Sequence, residues 1–354
     1  MRFLKAVSGL FVVILSVVWI TGTAWATPVI RVACQAEIGS FPFWLAKEKG
    51  WDKEEGFEME ILLFDSGMAM LNTLPSGEWQ IGSAGAGLMG GLRYHAYIIG
   101  IGNNDSPSNG ILVRPDSPIL KTKGANPDFP NVYGSVADIK GKTLLTTTIS
   151  SAHYVAARWL KTQGLLDKDI TIKNMDASQV LSAFENNIGD MISLWTPFLF
   201  MGIDKGWKLV ADGEDLKTGI GTWLMCDKKY GDKNPEMVAK ALRAFLRGVD
   251  FMKNEAPSNV VGMFKRYLLD YCGMEMNDEL LPKIIKACPV LDANEQLVLF
   301  DTSKGESTAQ KWLAGYAQFM TDADRISHKE LDSIKGMKFA TDKFLKLAAQ
   351  PVAK

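Results

Sequence analysis

The sequence lacks an excess of charge of either sign. Its 354 residues include 39 Lys and Arg and 40 Asp and Glu, which gives a formal net charge of -1 at pH 7. Nucleic acids and anionic membranes attract proteins mainly through clustered positive charge. We therefore expect neither of them to be a partner.

Metal-binding and catalytic motifs are also missing. The three histidines, His95, His153 and His328, are far apart, and no C-x-x-C or Cys/His cluster has the spacing of a metal site. The sequence contains no G-x-S-x-G or Walker A motif. A glycine-rich stretch, Ala84 to Gly91, does not place G-x-G-x-x-G in the first βα turn, where a dinucleotide site requires it. We expect no metal, no cofactor and no enzymatic activity.

Cysteine is scarce, with four residues in the chain. Cys34 and Cys226 lie in apolar runs, IRVAC and TWLMC, which predict buried strands with free thiols. Cys272 and Cys288 are the only pair close in sequence. Whether they form a disulfide stays open, because export from the cytoplasm permits one.

Only the N-terminus carries a long apolar run. Arg2 and Lys5 precede the run Leu10 to Ile20, and a stretch of small residues ends at Ala24-Trp25-Ala26. This order is typical of a secretory signal peptide, and the run is shorter than the roughly 20 residues that span a bilayer. We expect residues 1–26 to be cleaved on export, leaving a periplasmic chain that is not inserted in the membrane; the alternative is an uncleaved anchor.

Short apolar runs alternate with helical patterns from Val29 onward, which predicts an α/β protein with mainly parallel sheets. VIRVAC, FEMEILLF and WQIGSAG are the first predicted strands, and Pro42 lies in the first turn of the first predicted helix. A loop rich in Pro and Gly, residues 115–131, separates this unit from a second one with the same rhythm. From Asn234 onward the pattern is amphipathic and predicts helices.

The stretch TTTISSAHYVAARWL, Thr146 to Leu160, places five hydroxyl residues before a helical pattern. Its apolar face predicts a helix that begins near Ser150 or Ser151. A helix N-terminus carries unpaired N–H groups and a partial positive charge, and one serine suffices to cap it. The other hydroxyls either alternate on the faces of a strand or form an anion site with the free N–H groups.

The same pattern recurs where other predicted strands end. Ser40-Phe41-Pro42, Ser66-Gly67 and Gly85-Ala86-Gly87 each place small or hydroxyl residues between a strand and a helix. Ligands of open α/β sheets bind at the carboxyl ends of the strands. These loops therefore predict a cleft between two domains. Trp195 ends a further predicted strand and is either an apolar wall of the cleft or a core residue.

Four stretches taken together resemble the exported substrate-binding proteins of ABC importers, in the group that binds nitrate, aliphatic sulfonates and taurine. They are GSFPFWLAKEKGWDKEEGFEMEI, FDSGMAMLNTLPSGEWQIGSAGAG, DIKGKTLLTTTISSAHYVAARWLKTQGL and SQVLSAFENNIGDMISLWTPF. The resemblance implies a type II-like periplasmic binding protein fold, with two α/β lobes that are joined by two crossovers and close on a ligand. Residues 27–112 and 219–354 would form lobe one, and residues 113–218 lobe two.

The resemblance also implies which loops contact the ligand: Glu37 to Phe41, Ser66-Gly67, Ala84 to Gly87, Thr147 to Tyr154 and the Trp195 region. In the taurine-binding version, hydroxyls and backbone N–H groups meet the sulfonate, while acidic and aromatic groups hold the ammonium. Three acidic residues are candidates for that second role, and which of them faces the cleft stays open: Glu37, Asp105 and Asp176. The complete set of expected site residues is Glu37, Ser40, Phe41, Ser66, Gly67, Gly85, Ala86, Asp105, Thr147, Thr148, Ser150, Ser151, His153, Tyr154, Asp176 and Trp195.

We therefore predict the solute-binding component of an ABC importer, which captures a small anionic or zwitterionic organic ligand. A sulfonate such as taurine or an alkanesulfonate is expected. The partners would be this ligand and a permease with its ATPase, and the protein would be a monomer. The alternatives are a binder of nitrate, carboxylates or thiamine precursors, a receptor-linked sensor, and an enzyme similar to eukaryotic thiamine-pyrimidine synthases, whose Cys-rich active segment this chain lacks.

Overall fold

The computed structural model describes residues 27–334 and 339–350, so the expected signal peptide lies outside the described residues. Ten strands form within these ranges: β1 Val29–Cys34, β2 Glu58–Leu63, β3 Ile81–Ala84, β4 Tyr97–Asn104, β5 Asn109–Val113, β6 Thr143–Thr146, β7 Thr171–Asn174, β8 Met191–Trp195, β9 Lys208–Asp212 and β10 Gly221–Cys226. The predicted strands VIRVAC and TWLMC are confirmed as β1 and β10.

Helices separate and follow these strands, as the alternating pattern predicts. Those that the structure describes are α1 Phe41–Glu48, α2 Trp51–Glu54, α3 Gly67–Thr73, α4 Gly87–Tyr94, α5 Val136–Ile139, α6 Ser151–Thr162, α7 Ala177–Glu185, α8 Phe198–Asp204, α9 Lys228–Lys233, α10 Pro235–Asn254, α11 Pro257–Arg266, α12 Leu281–Ala287, α13 Ala293–Phe300, α14 Thr308–Asp322, α15 His328–Ile334 and α16 Lys343–Ala348. Within the described ranges, every helix is too short or too polar to cross a membrane.

The strands form two five-stranded sheets, with the orders β2-β1-β3-β10-β4 and β7-β6-β8-β5-β9. β1 runs parallel to β2 and β3, and β6 runs parallel to β7 and β8. β10 and β5 run antiparallel to both of their neighbours. Each sheet is therefore mainly parallel, as predicted, with four strands in one direction and one reversed strand, β10 or β5, that arrives from the other lobe.

Two crossovers connect the lobes, at residues 105–108 and 213–220, and Ser106 joins them to each other. Its hydroxyl donates to the Thr218 carbonyl oxygen over 2.6 Å and accepts from the Ile220 N–H over 3.1 Å. Both partners belong to the second crossover. The two crossovers therefore lie side by side at the base of the cleft and are joined by hydrogen bonds.

The first crossover comes earlier in the chain than the expected boundary after residue 112. All of β5, Asn109–Val113, pairs with β8 and β9 of the second sheet. Every residue of β5 is buried, so its burial pattern is compatible with the interior of either sheet. Only the pairing of β5 with its neighbours assigns it to lobe two.

Separate apolar cores support the two lobes. In lobe one, α10 buries Val238, Leu242, Phe245 and Val249 along one face, as the amphipathic pattern predicts. In lobe two, consecutive residues of each strand face opposite sides of the sheet, so two cores cover its two faces. The rigid sheets hold the loops at their carboxyl ends in fixed positions.

All four cysteines are free, so Cys272 and Cys288 do not form a disulfide. Cys34 and Cys226 are buried, as predicted, and Cys288 is buried too, whereas Cys272 is half-buried.

Candidate ligand-binding site

A recess lies between the lobes, where the loops after β1, β2, β3, β6 and β8 meet. It contains roughly 370 Å³ of unfilled space, part of which is open to solvent. We call it the inner recess, and its lining residues are Gln35, Glu37, Ser66, Gly67, Met68, Gly85, Ala86, Thr147, Thr148, Ile149, Ser150, Ser151 and Trp195. Both lobes contribute, in keeping with the rule that ligands bind at the carboxyl ends of strands.

Ten of the expected site residues line the inner recess. From lobe one come Glu37, Ser66, Gly67, Gly85 and Ala86, and from lobe two come Thr147, Thr148, Ser150, Ser151 and Trp195. These residues are separated by up to 158 positions in the sequence (195 − 37) and are brought together by the two sheets. Their roles toward a ligand remain a prediction.

Most hydroxyls of the stretch Thr146 to Ser151 are bonded within lobe two. Ser150 caps α6, since its Oγ accepts from the His153 N–H over 3.2 Å and donates to the Thr147 carbonyl over 2.6 Å. Thr147 Oγ1 donates to the Met175 carbonyl, and Thr148 Oγ1 lies 2.9 Å from the side-chain oxygen of Asn174. A further hydroxyl, at Thr146, is buried and donates to the Ser193 carbonyl. These groups therefore shape the recess rather than offering free donors.

Ser151 differs from its neighbours. It is the first residue of α6, and its backbone N–H and that of Ala152 have no acceptor among the described residues. Its side chain faces the carboxyl group of Asp105. Free N–H groups at a helix start, combined with the helix dipole, attract anions. The N-terminus of α4, at Ala86 and Gly87, lies on the opposite wall and, unlike that of α6, has no side-chain cap.

Glu37 is a buried acid on the lobe-one wall. Its side chain is 93% buried, and its Oε1 atom has no hydrogen-bond partner among the described residues. Burial raises the pKa of Glu37 well above its usual value, and the charge of nearby Asp105 raises it further. Burial therefore favours the protonated form of Glu37, which is able to donate a hydrogen bond to a ligand or to give up its proton to an amine.

Asp105 lies behind the recess, at the start of the first crossover, and does not line it. Its carboxyl group accepts hydrogen bonds from Ser108 and from the side-chain amide of Asn109, the latter over 2.7 Å. Burial raises the pKa of Asp105, and these hydrogen bonds partly counteract the rise. Asp105 therefore acts on the site through Glu37 and Ser151, which lie between it and the recess.

The remaining expected residues lie elsewhere. Ser40 and Phe41 are fully buried, Ser40 bonding the Gln35 N–H and Phe41 packing among aromatic rings of lobe one. His153 is fully buried too, with Nε2 3.0 Å from Asp167 Oδ2, because the turn of α6 points its ring away from the recess. Tyr154 packs against the rings of Tyr316 and Phe319 in α14. Asp176 lies at the entrance of α7, in a neighbouring recess.

Two lining residues, Gln35 and Met68, were not expected from the sequence, and a third, Ile149, lies in the expected loop Thr147 to Tyr154 but was not among the expected site residues. Gln35 immediately follows β1, so the rule about strand ends could have found it. Ile149 has a φ of +62°, a left-handed conformation that is rare for a β-branched residue and costs about 1–3 kcal/mol. Backbone strain of this kind depends on tertiary contacts and leaves no trace in the residue pattern.

The site has no arrangement of metal ligands. Within residues 27–334 and 339–350, no group of three or more His, Cys, Asp or Glu side chains is placed to hold a metal ion. The polar groups that face the inner recess are hydroxyls, amides, backbone N–H groups and one buried carboxyl. Such a lining suits an organic ion that is bound by hydrogen bonds.

Two α/β lobes, two crossovers and a recess formed by strand ends from both lobes define the two-lobed solute-binding protein fold. The family model described as NMT1/THI5 like matches residues 38–258, more than half of the chain. The chain belongs to this family.

The curated relatives that the chain resembles are binding proteins. A putative ABC transporter periplasmic binding protein of Brachyspira hyodysenteriae is 29% identical over 227 residues, and a putative aliphatic sulfonates-binding protein of Bacillus subtilis is 27% identical over 234. In both cases the match covers 63% of this chain and 65% of the relative. The taurine-binding periplasmic protein of Escherichia coli is 24% identical over 190 residues, 52% of this chain and 55% of that protein.

Solved structures agree with the fold. The periplasmic nitrate-binding protein of Synechocystis has a TM-score of 0.69 at 14% identity, covering 92% of this chain and 89% of that one. The alkanesulfonate-binding protein of Xanthomonas axonopodis, bound to MOPS, has a TM-score of 0.66 at 17% identity and covers 84% and 94%. A desulfurization enzyme has a TM-score of 0.58 at 13% identity and covers 91% and 98%. The fold alone is thus shared by binding proteins and an enzyme.

Proposed function

We propose that this protein is the solute-binding component of an ABC importer and captures a small organic oxyanion, with a sulfonate as the favoured ligand. The observation that carries the proposal is the inner recess, where Ser151, the first residue of α6, lies opposite a wall from the other lobe and its backbone N–H has no acceptor among the described residues. The names of the curated relatives support the sulfonate over nitrate or a carboxylate.

The ligand would be captured between the two lobes. A ligand that touches the start of α6 on one side and the start of α4 on the other binds tightly only when the lobes are closed. Closure would also remove water from the oxyanion, which strengthens its hydrogen bonds to the protein. The closed form would then be recognised by a permease with its ATPase. We further propose that residues 1–26 direct export and are cleaved, and that the mature protein acts as a monomer in the periplasm.

The protonation state of the four cysteine thiols favours a binding function over a catalytic one. Three of the four cysteines are buried, and burial raises the pKa of their thiols far above the usual value. The fourth, Cys272, has a pKa raised to about 11 by burial. A protonated thiol is a poor nucleophile. This supports a carrier rather than an enzyme of the same fold.

The test separates the two serines at the start of α6. Ser151→Ala removes a hydroxyl that the helix cap does not use, and we expect sulfonate binding to weaken by about 1.5–3 kcal/mol, as for a hydrogen bond to a charged group. Ser150→Ala removes the cap and should lower the free energy of unfolding by about 0.5–2 kcal/mol. Calorimetry with taurine and ethanesulfonate, together with urea unfolding, measures both effects.

A matched control is Ser307, which caps α14 in the same way, accepting from the Gln310 N–H over 3.2 Å. Ser307→Ala should lower stability as Ser150→Ala does and leave affinity unchanged. Equal affinity of wild type and Ser151→Ala for every sulfonate that binds would contradict a contact between the Ser151 hydroxyl and the oxyanion. Binding of nitrate or thiamine precursors in place of any sulfonate would select one of the alternatives.

A further inference from the structure

A second recess adjoins the inner recess. We call it the outer recess; it contains roughly 680 Å³ of unfilled space. Gln35 and Trp195 line both recesses. The two spaces therefore adjoin each other at these two side chains.

The outer recess is lined largely by apolar groups from both lobes. Phe64 and Met274 come from lobe one, and Phe198 comes from lobe two. All three are half-buried, so part of each side chain faces the recess. The ring of Phe198 stands edge-on to that of Trp195, with centroids 5.9 Å apart. Apolar surface of this kind gains free energy when a hydrocarbon chain covers it.

The charge of the outer recess has one sign. Two exposed carboxylates, Asp65 and Asp176, lie in its lining, and no Lys or Arg is among the described residues that line it. A second anionic group on a ligand would meet these carboxylates without a compensating cation. The outer recess therefore favours a neutral or cationic tail over an anionic one.

Gln35 stands at the junction and is available to a ligand. It is 95% buried, yet no hydrogen bond joins its side-chain amide to any residue that the structure describes. Its backbone is fixed on both sides, since its N–H donates to Ser40 Oγ and its carbonyl accepts from the hydroxyl of Tyr267. The amide keeps its hydrogen-bonding capacity free, so a polar group of a ligand that passes between the recesses is able to pair with it.

We propose that the site selects oxyanions with an extended tail: the head occupies the inner recess, and an uncharged or cationic tail of several non-hydrogen atoms passes Gln35 and Trp195 into the outer recess. This inference rests on the proposed function. It narrows the ligand class from small sulfonates in general to alkanesulfonates and aminoalkanesulfonates longer than taurine.

The experiment is a calorimetric series with methane-, ethane-, butane- and hexanesulfonate on the purified protein, using competition for the weakest ligands. Each methylene that enters the outer recess should tighten Kd about fourfold, the value expected for a fully buried CH₂. Butane-1,4-disulfonate should bind at least about tenfold more weakly than butanesulfonate, because its second sulfonate approaches Asp65 and Asp176.

Substitutions in the outer recess test where the tail of the ligand lies. Phe64→Ala and Phe198→Ala should flatten the dependence on chain length and leave the Kd of methanesulfonate within about twofold. Phe129→Ala, which alters a half-buried ring of lobe two outside both recesses, should change neither quantity.

The outcomes separate this inference from the proposed function. Methanesulfonate binding with a Kd that does not tighten with chain length overturns the inference and leaves the proposed function intact. A length dependence that survives in both Phe variants also overturns it, because the tail then lies elsewhere. If no sulfonate binds, the proposed function fails, and this inference fails with it.

Discussion

The carboxyl group of Glu37 offers a test of the buried polar site that needs no ligand. It is 93% buried and has one oxygen without a partner. Glu37→Gln keeps the size and shape of the side chain and removes its ability to ionise. The difference in stability between the wild type and this variant therefore measures the free energy of burying an ionisable group at this position.

The direction of the pH effect follows from the raised pKa of Glu37. In the unfolded chain the carboxyl loses its proton near pH 4.5, the model-peptide value, whereas in the folded protein it keeps the proton to a higher pH. Between these two pKa values the folded state binds more protons, so the stability of the wild type falls as pH rises. Below pH 4.5 the acid is protonated in both states and this loss is absent.

The magnitude is bounded by proton linkage. One group protonated only in the folded state changes the free energy of unfolding by up to about 1.4 kcal/mol per pH unit. Gln has no such dependence, so the variant should become more stable relative to the wild type as pH rises from 5 to 7. Because the charge of Asp105 contributes to the raised pKa of Glu37, part of this change in stability arises from the interaction between the two carboxyl groups.

Urea unfolding at pH 5, 6, 7 and 8, with wild type and variant compared at each pH, measures this difference directly. Glu58→Gln, on the exposed side of β2, is a control for the loss of a solvated carboxylate. A difference between Glu37→Gln and wild type that stays constant from pH 5 to 8 would refute the account of Glu37 as a buried neutral acid.

Three further predictions test the fold around the site. Gly39→Ala should destabilise the protein by about 1–3 kcal/mol in urea unfolding, because a Cβ at Gly39 would overlap the methyl group of Thr222 in β10; a neutral effect would show that the loop after β1 is not packed as described. Ser106→Ala should lower stability by about 1–3 kcal/mol, because it leaves the buried Ile220 N–H without its acceptor. An unchanged free energy of unfolding would argue against hydrogen bonds between the two crossovers. In the native protein at pH 8, iodoacetamide should modify only Cys272, and more slowly than free cysteine, since its pKa is raised to about 11 and the other thiols are buried; modification of more than one thiol by mass spectrometry would contradict this burial.

The candidate site was predicted in part from local rules. Loops of small and hydroxyl residues after apolar runs located the walls at Ser66, Gly85 and Ser151, because strand ends gather at one edge of a sheet whatever their order. The same rules failed to separate His153 from Ser151, two residues earlier. On a helix, two residues differ by about 200° in direction, so one side chain faces the recess and the other faces the interior.

The sequence by itself determined the alternation of strands and helices, the start of α6, the amphipathic face of α10 and the family resemblance, because these depend on neighbouring residues and their periodicity. Only the tertiary structure decided which sheet receives β5 and β10, which of the clustered hydroxyls are used inside lobe two, and which acid faces the recess. Those properties depend on contacts between residues far apart in the chain. Glu37 and Asp105 are both acids near strand ends, and only their packing makes one a wall of the recess and the other its support.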